Sequence, residues 1–584
     1  MRTTRVPFPR GMIERATGPK PNWARPLLLL FVLTSAGAAQ LRLTQKADKR
    51  LGSIKGRVVD EAGVPMANVA INVRPAGGSY EEEQEAATDD NGEFVVDHLS
   101  AKPYVIRCEA SGYIEADPSS SYYLTGEPVT LKMAKGGVIT GRVTGGTGEP
   151  YVKARVAAVR VRDQDGQPTS SSEGPDTADT DDRGIYRIYG LESGYYIVNI
   201  DRAGQYEDNQ FRNAVPIYYP SGTRDGARQV AVARGEEAGG IDITYRSQPG
   251  HIVSGSLSGT MQSGSEDETN IRLVGYKPAA AVLQKGFGEN RTFIVYGVPD
   301  GDYFVVAHND SDALAAASQP YRVTVKGADV RGIDLRLVPF ASASGKVSMG
   351  PAPAPRGQPE CKGTRPGLAQ EAVVWASRDE KKNDTVKPAF PPELFDESEP
   401  TAPNENGEFS LQGLAPGHYR FGATLPNEAV YVSAISMKAP SGKAIDIAAG
   451  GASLKSGDQL AGISIILAEG ASALRGRVVS SAEKAKLPSG LRVHLVPAEP
   501  EHANDVLRFA EAEVKSDGTF ALTNIPPGRY RIVAIAVKDR GSLPVAWDAD
   551  ERASLHRRAE ESGGAPVVEL KPCQRSSDYL IQYP

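Results

Sequence analysis

The chain has 584 residues, 40% of them hydrophobic, and a formal net charge of -6. A single hydrophobic core stops growing at about 250–300 residues, so this length excludes a one-domain protein. Both signs of charge are scattered with no basic block, which argues against a nucleic-acid partner. The 61 glycines and 42 prolines follow no collagen-like period and so punctuate many short elements, as in an all-β, turn-rich chain.

In chain order, Arg25 precedes an apolar run, Leu27 to Leu33, which ends in Thr34-Ser35-Ala36-Gly37-Ala38-Ala39. A basic flank, a short apolar stretch and a cluster of small residues predict a signal peptide over residues 1–39, cleaved after Ala38 or Ala39. The run is shorter than the roughly 20 residues that span a bilayer. The expectation is an exported chain with no transmembrane segment after cleavage, located in the periplasm, on the outer-membrane surface or outside the cell.

The remainder repeats. Phe94–Cys108, Tyr186–Ile200, Phe293–Ala307, Phe409–Ala423 and Phe520–Ala534 align without a gap, at intervals of roughly 90 to 120 residues, a length suited to one sandwich domain. In each, an aromatic and an aliphatic residue two apart (Phe409 and Leu411) share one face of a strand. A turn such as Ala415-Pro416-Gly417 follows, then a second alternating strand (Tyr419, Phe421, Ala423), a pattern that predicts a β-hairpin with one buried face. Upstream lies another turn: Asp89-Asp90-Asn91-Gly92, Asp181-Asp182-Arg183-Gly184, Asn404-Glu405-Asn406-Gly407 and Ser516-Asp517-Gly518. The third repeat lacks it.

Each repeat opens on an alternating strand with a glycine inside it: Gly56, Gly141, Gly255, Gly345 and Gly476. A glycine there predicts a bulge or close approach by the opposite sheet. Closing strands are expected at Val129–Met133, Ile241–Tyr245, Ile333–Val338, Ile463–Leu467 and Val567–Leu570, and one helix over Asp548–Glu561. The fold class is therefore all-β, with five tandem transthyretin-like or Ig-like β-sandwich modules over residues 52–134, 135–247, 248–339, 340–469 and 470–571.

The run G-x-V, D-x-x-G-x-F, L-x-P-G-x-Y-x-h-x-A, in which h is any hydrophobic residue, resembles the carboxypeptidase regulatory-like domain, a prealbumin-like sandwich. The resemblance is best in the first and fifth copies and weakest in the third. It implies a non-catalytic appendage, since these modules accompany a zinc peptidase without contributing its chemistry, and related sandwiches bind carbohydrate or act as spacers in envelope proteins. Fold alone does not decide among these.

None of the seven histidines begins a zinc-peptidase motif, and no G-x-S-x-G or P-loop occurs. No metal and no cofactor is expected; the acidic loops at Asp89 and Asp181 read as polar turns ahead of calcium sites. Cys108, Cys361 and Cys573 lie far apart and show no disulfide framework or metal spacing, and Cys108 reads as a buried small hydrophobe. The candidate ligand-binding residues are aromatics: Tyr122 and Tyr123, Tyr218 and Tyr219, all in Ser/Pro/Gly-rich loops, and the rare Trp375 and Trp547. Aromatic faces suit stacking on sugars or proteins. The expected function is a non-enzymatic envelope binding or scaffold protein, with polysaccharide or an envelope protein as partner. The alternatives are a stiff spacer rod and an accessory subunit of a peptidase or outer-membrane transporter.

Overall fold

The computed structural model describes residues 51–583 apart from 117–120, 170–175, 202–213, 260–268, 276–281, 290, 310–315, 351–360, 362–364, 380–397, 440, 482–485, 489, 538–543 and 562–566. The signal-peptide expectation, residues 1–39, lies outside the described residues. No described helix is long and apolar enough to cross a membrane.

Five times the chain builds the same pair of facing layers. In one layer the opening strand runs antiparallel to the first strand of the repeated segment and parallel to the closing strand. In the first module Gly52–Asp60 lies between Glu93–Leu99 and Pro128–Lys135. In the fourth, Ala341–Met349 lies between Glu408–Leu414 and Gln459–Glu469. The other layer pairs a second strand with the second strand of the repeated segment, as Ala70–Pro75 with Tyr104–Glu109 and Val373–Arg378 with Gly417–Thr424. In the third module the two layers join at their edges into a closed ring of strands.

This corrects the expected hairpin. Glu408–Leu414 and Gly417–Thr424 are consecutive but do not pair with each other; each belongs to a different sheet. The turn between them carries the chain across the core as an arch. Alternation shows only that one face of each strand is buried, and that face looks the same whether its partner lies beside it or opposite. Phe409, Leu411 and Leu414 accordingly meet Tyr419 and Phe421 in one buried cluster. The first module repeats this with Phe94, Val96 and Leu99 against Tyr104, Ile106 and Cys108. Each large apolar side chain so buried contributes about 1.5–3 kcal/mol.

Of the two causes expected for the strand glycines, the fifth module shows the bulge. A Cβ built on Gly476 would collide with the carbonyl of Tyr579, on the neighbouring closing strand of the same sheet, and with the Phe520 ring. Register between the two strands shifts at Leu474/Gly476. The close approach therefore comes from a bulge in the adjacent strand, and the opposite sheet is not involved.

The upstream turns serve the same strand. The carbonyls of Gly92, Gly184, Gly407 and Gly518 accept the N–H of Val58, Val143, Val347 and Val478, and these glycines have φ between 72° and 83°. Arg291 takes this place in the third module, with φ 60° and its carbonyl 2.7 Å from the Leu257 nitrogen. The motif missing from that repeat is thus replaced by a non-glycine residue in the left-handed region. The turn acids are used internally: Asp181 Oδ1 accepts the N–H groups of Arg183 and Ile185 at 2.9 and 2.8 Å. Those bonds, the one from Ile185 foremost, hold its carboxyl below the usual carboxylate range.

One repeated interaction is invisible to hydropathy. The tyrosine that opens the second repeat strand donates its hydroxyl to the carbonyl four residues back: Tyr104 to Ser100, Tyr196 to Glu192, Tyr303 to Pro299, Tyr419 to Ala415 and Tyr530 to Pro526, at 2.6–3.1 Å. Each bond ties one end of an arch to the other. Tyr530→Phe keeps the packing but orphans a buried carbonyl, so it is expected to lower stability by about 1–2 kcal/mol in denaturant titration. No measurable loss would show the hydroxyl to be idle.

In the last module the closing strand is Arg575–Tyr583, parallel to Ser472–Ser480, and lies beyond the expected boundary at residue 571. Val567–Leu570, expected in that role, pairs with Gly528–Ala536 in the other sheet. The helix, Ala549–Glu561, starts one residue later than expected because Asp548 caps it, accepting the N–H groups of Asp550 and Glu551 at 2.9 and 3.0 Å.

Candidate functional site

The six aromatic residues singled out in the sequence do not form a common exposed platform. Trp547 is buried, and Trp375, half-buried, stacks on it with ring centroids 5.6 Å apart. Trp547 belongs to the fifth module yet packs into the buried cluster of the fourth. Tyr218 is buried on Ile217–Tyr218, which pairs with Gly194–Asp201. It faces the third module, where burial first, and then the nearby Tyr218 and Asp225, push the Tyr303 phenol up to about 12. Tyr122 is half-buried; burial raises its phenol, and Glu399 of the fourth module raises it further. Tyr123 exchanges backbone hydrogen bonds with Tyr104, and Tyr219 packs against the second core. The expectation that these are exposed loop aromatics is corrected: rings this large are more stable covering a neighbouring core than standing in water. Four of the six face a different module.

The junction between the fourth and fifth modules is the most elaborate. Arg420, 2% exposed, reaches the Asp379 carboxylate through Nε at 3.2 Å and Nη2 at 3.1 Å. Its Nη2 also lies 3.5 Å from the Trp547 carbonyl, which Arg552 contacts at 3.2 Å from the other side. Asn524 donates to the carbonyls of Asn427 and Val430, both at 2.9 Å. Glu428 receives Arg475 and Arg575. Cys361 and Cys573 are joined by a disulfide, with Cα atoms 5.6 Å apart, which corrects the reading of three unconnected cysteines. A sequence separation of 212 residues leaves no spacing signature, so only the folded chain reveals the pair. Cys108 is buried as expected, its thiol pushed up to about 12 by burial and by Glu115.

A second junction joins modules that are not neighbours in sequence. The Ala402 N–H donates to the Ala76 carbonyl at 3.1 Å, and Arg365, paired with the buried Glu371, lies 3.4 Å from the Thr125 carbonyl. The first module therefore touches the fourth, and the array is not a simple linear rod.

One further titratable group is buried inside the fifth module. His494 is 2% exposed on Leu491–Pro497, with its Nδ1 3.6 Å from Glu511 Oε2. Glu511 is engaged by Arg492, so burial prevails, reinforced by Arg492 and Arg558, and the imidazole pKa falls to about 4. The unfolded chain then takes up this proton first as pH falls, so the neutral imidazole's stabilising contribution is lost between pH 6.5 and about 4. His494→Gln is expected to flatten the stability profile across that window; an unchanged acid limb would assign it to other groups. Among the described residues no group of three His, Cys, Asp or Glu side chains is arranged to hold a metal ion.

The layers, arches and junctions define a tandem β-sandwich protein whose modules are fastened to one another. Residues 53–134 match the sequence model of the carboxypeptidase regulatory-like domain, the first module alone and well under half of the chain. No curated protein sequence matches significantly. Among solved structures, the chain is similar to the major pilin subunit of Bacillus cereus, BcpA, at 13% identity over 49% of this chain and 99% of that one, with a TM-score of 0.14. It is also similar to GBS52, the minor pilin of Streptococcus agalactiae, at 13% identity over 33% and 98%, TM-score 0.19. The Bacillus anthracis TIE protein matches at 13% identity and TM-score 0.14 over 49% of this chain, which spans about half (50%) of its length. At such TM-scores the likeness carries no functional inference.

Proposed function

We propose that the chain is a non-catalytic, exported scaffold of the bacterial cell envelope, whose fastened sandwich modules hold surface loops in fixed relation for a partner. The observation that carries this reading is the use made of its reactive and aromatic residues. Cys361 and Cys573 staple two modules, Trp375 and Trp547 fill the same junction, and His494 is buried. A disulfide between two modules persists in an oxidising compartment, which supports export. Fractionation of the source cells tests the proposal. A chain found in the periplasm or outer-membrane fraction, beginning at Ala39 or Gln40 and with that cysteine pair oxidised, supports it. A cytosolic, reduced chain overturns it.

The finer version takes polysaccharide as the partner and is carried by Tyr122 and Tyr219, which keep part of their surface at the edges of modules. Retention of the purified chain on peptidoglycan or an insoluble polysaccharide, weakened by Tyr122→Ala or Tyr219→Ala, supports this version. No retention on any such polymer leaves a protein partner, including a peptidase or an outer-membrane transporter to which the chain is an accessory subunit.

A further inference from the structure

We infer that the strand Arg575–Tyr583 is a pairing edge for a second copy of this chain, giving a two-fold symmetric dimer through the last module. The closing strand is covered by an antiparallel neighbour in the first module (Tyr113–Glu115 along Pro128–Lys135), the third (Ala316–Ser318 along Val330–Pro339) and the fourth (Val430–Lys438 along Gln459–Glu469). In the second module the closing strand is broken into Glu237–Ala238 and Ile243–Thr244, pieces too short to template another chain.

The fifth module does neither. The segment that supplies the cover elsewhere is here the helix Ala549–Glu561, and its Leu555 and Ala559 bury against Val496 and Val533 of the other sheet. Among the described residues, Arg575–Tyr583 has a strand on one side only. A nine-residue strand with one bare side at the edge of a sheet invites another strand.

The first half of this edge is blunted. Arg575 is held by Glu428, and Asp578 sits at φ 63° where the register shifts. The second half, Tyr579-Leu580-Ile581-Gln582-Tyr583, is regular and uncharged. The Tyr583 carbonyl accepts the Ser481 N–H at 2.7 Å, so Tyr579, Ile581 and Tyr583 bond toward the opening strand. Leu580 and Gln582 then point their N–H and C=O groups outward. Leu580 is 59% exposed.

The same five residues select the occupant. Antiparallel pairing about Ile581 sets Tyr579 against the partner's Tyr583 and Leu580 against the partner's Gln582. The outward-pointing groups meet as hydrogen-bonded pairs, the aromatics face each other, and no like charges oppose. Tyr579, Ile581 and Tyr583 already pack on the module's core, so the two cores become contiguous under a single six-stranded sheet made from two three-stranded ones. A self-complementary patch of this kind closes as an isologous dimer.

Sedimentation velocity on a dilution series of the purified chain tests the inference. The wild type is expected to dimerise with rising concentration. Leu580→Pro removes only an outward-pointing N–H, and Leu580→Lys puts a charge on the edge while leaving the bonds to the opening strand intact. Each is expected to weaken dimerisation at least about tenfold, with tryptophan emission unchanged because both tryptophans lie at another junction. A wild type that stays monomeric at about 0.1 mM, or a dimer that both variants leave intact, overturns the inference. So does self-association that persists in both variants but is lost when residues 40–50 are removed, because the contact then belongs to that segment.

Discussion

Trp547→Ala is expected to lower the stability of the fourth module, although the residue belongs to the fifth. The indole is 8% exposed and fills space in the fourth module's buried cluster against Trp375. Removing a buried tryptophan of this size costs about 3–5 kcal/mol, because the surroundings close over the vacated volume only in part. The backbone carbonyl of residue 547, which Arg420 and Arg552 share, is kept by the change, so the loss reads the packing of the indole. Trp375 and Trp547 are the only tryptophans beyond residue 39, so intrinsic fluorescence reads this junction directly. The expected outcome is an early denaturation step together with a red shift of the remaining Trp375 emission. Unchanged denaturation and emission would mean that the two modules stand independently and the contact is incidental.

The second large effect is expected from the disulfide. Cys573→Ser frees a loop of 212 residues, and closing loops of that length constrains the unfolded chain strongly, so the loss is about 2–5 kcal/mol. Reduction of the wild type is expected to reproduce the variant, because both remove the same link. Thiol titration of the denatured, unreduced chain supplies the check. One reactive thiol, that of Cys108, supports the pairing; three would refute it. Modules that come apart in Cys573→Ser while each retains its own core would place the disulfide's contribution in the junction.

How much of this was legible beforehand varies with the range of the interaction. The five arches were visible as five gapless repeats, because alternation and Pro-Gly turns are local and recur with the same spacing. Their conversion from hairpin to arch was not visible, since Phe409 and Tyr419 show the same periodicity whether their strands pair or face each other. The tyrosine-to-carbonyl bonds left a trace, an aligned Tyr104, Tyr196, Tyr303, Tyr419 and Tyr530, but hydropathy treats tyrosine as one more aromatic. The last closing strand was missed because Arg575-Ser576-Ser577-Asp578 is polar and reads as a tail until the Ser472–Ser480 strand is placed beside it.

The candidate site was the least legible part. Tyr218, Trp375 and Trp547 were found by residue type, but type alone does not separate an aromatic awaiting a ligand from one covering a neighbouring module. Asp379, Arg420 and Asn524 gave no signal at all, since polar residues in strands are ordinarily solvated and only burial between modules makes them partners.

The sequence by itself determined the all-β class, the five-fold repetition, the buried face of each strand and the turns between them. These follow from side-chain alternation and backbone preference within a few residues. Which strands pair, which modules touch, that Cys361 meets Cys573, and that among the described residues the Arg575–Tyr583 edge stands uncovered were decided only in the tertiary structure. Those outcomes depend on surfaces brought together across tens to hundreds of residues, where the energy lies in complementary shape and excluded water, and no local pattern records it.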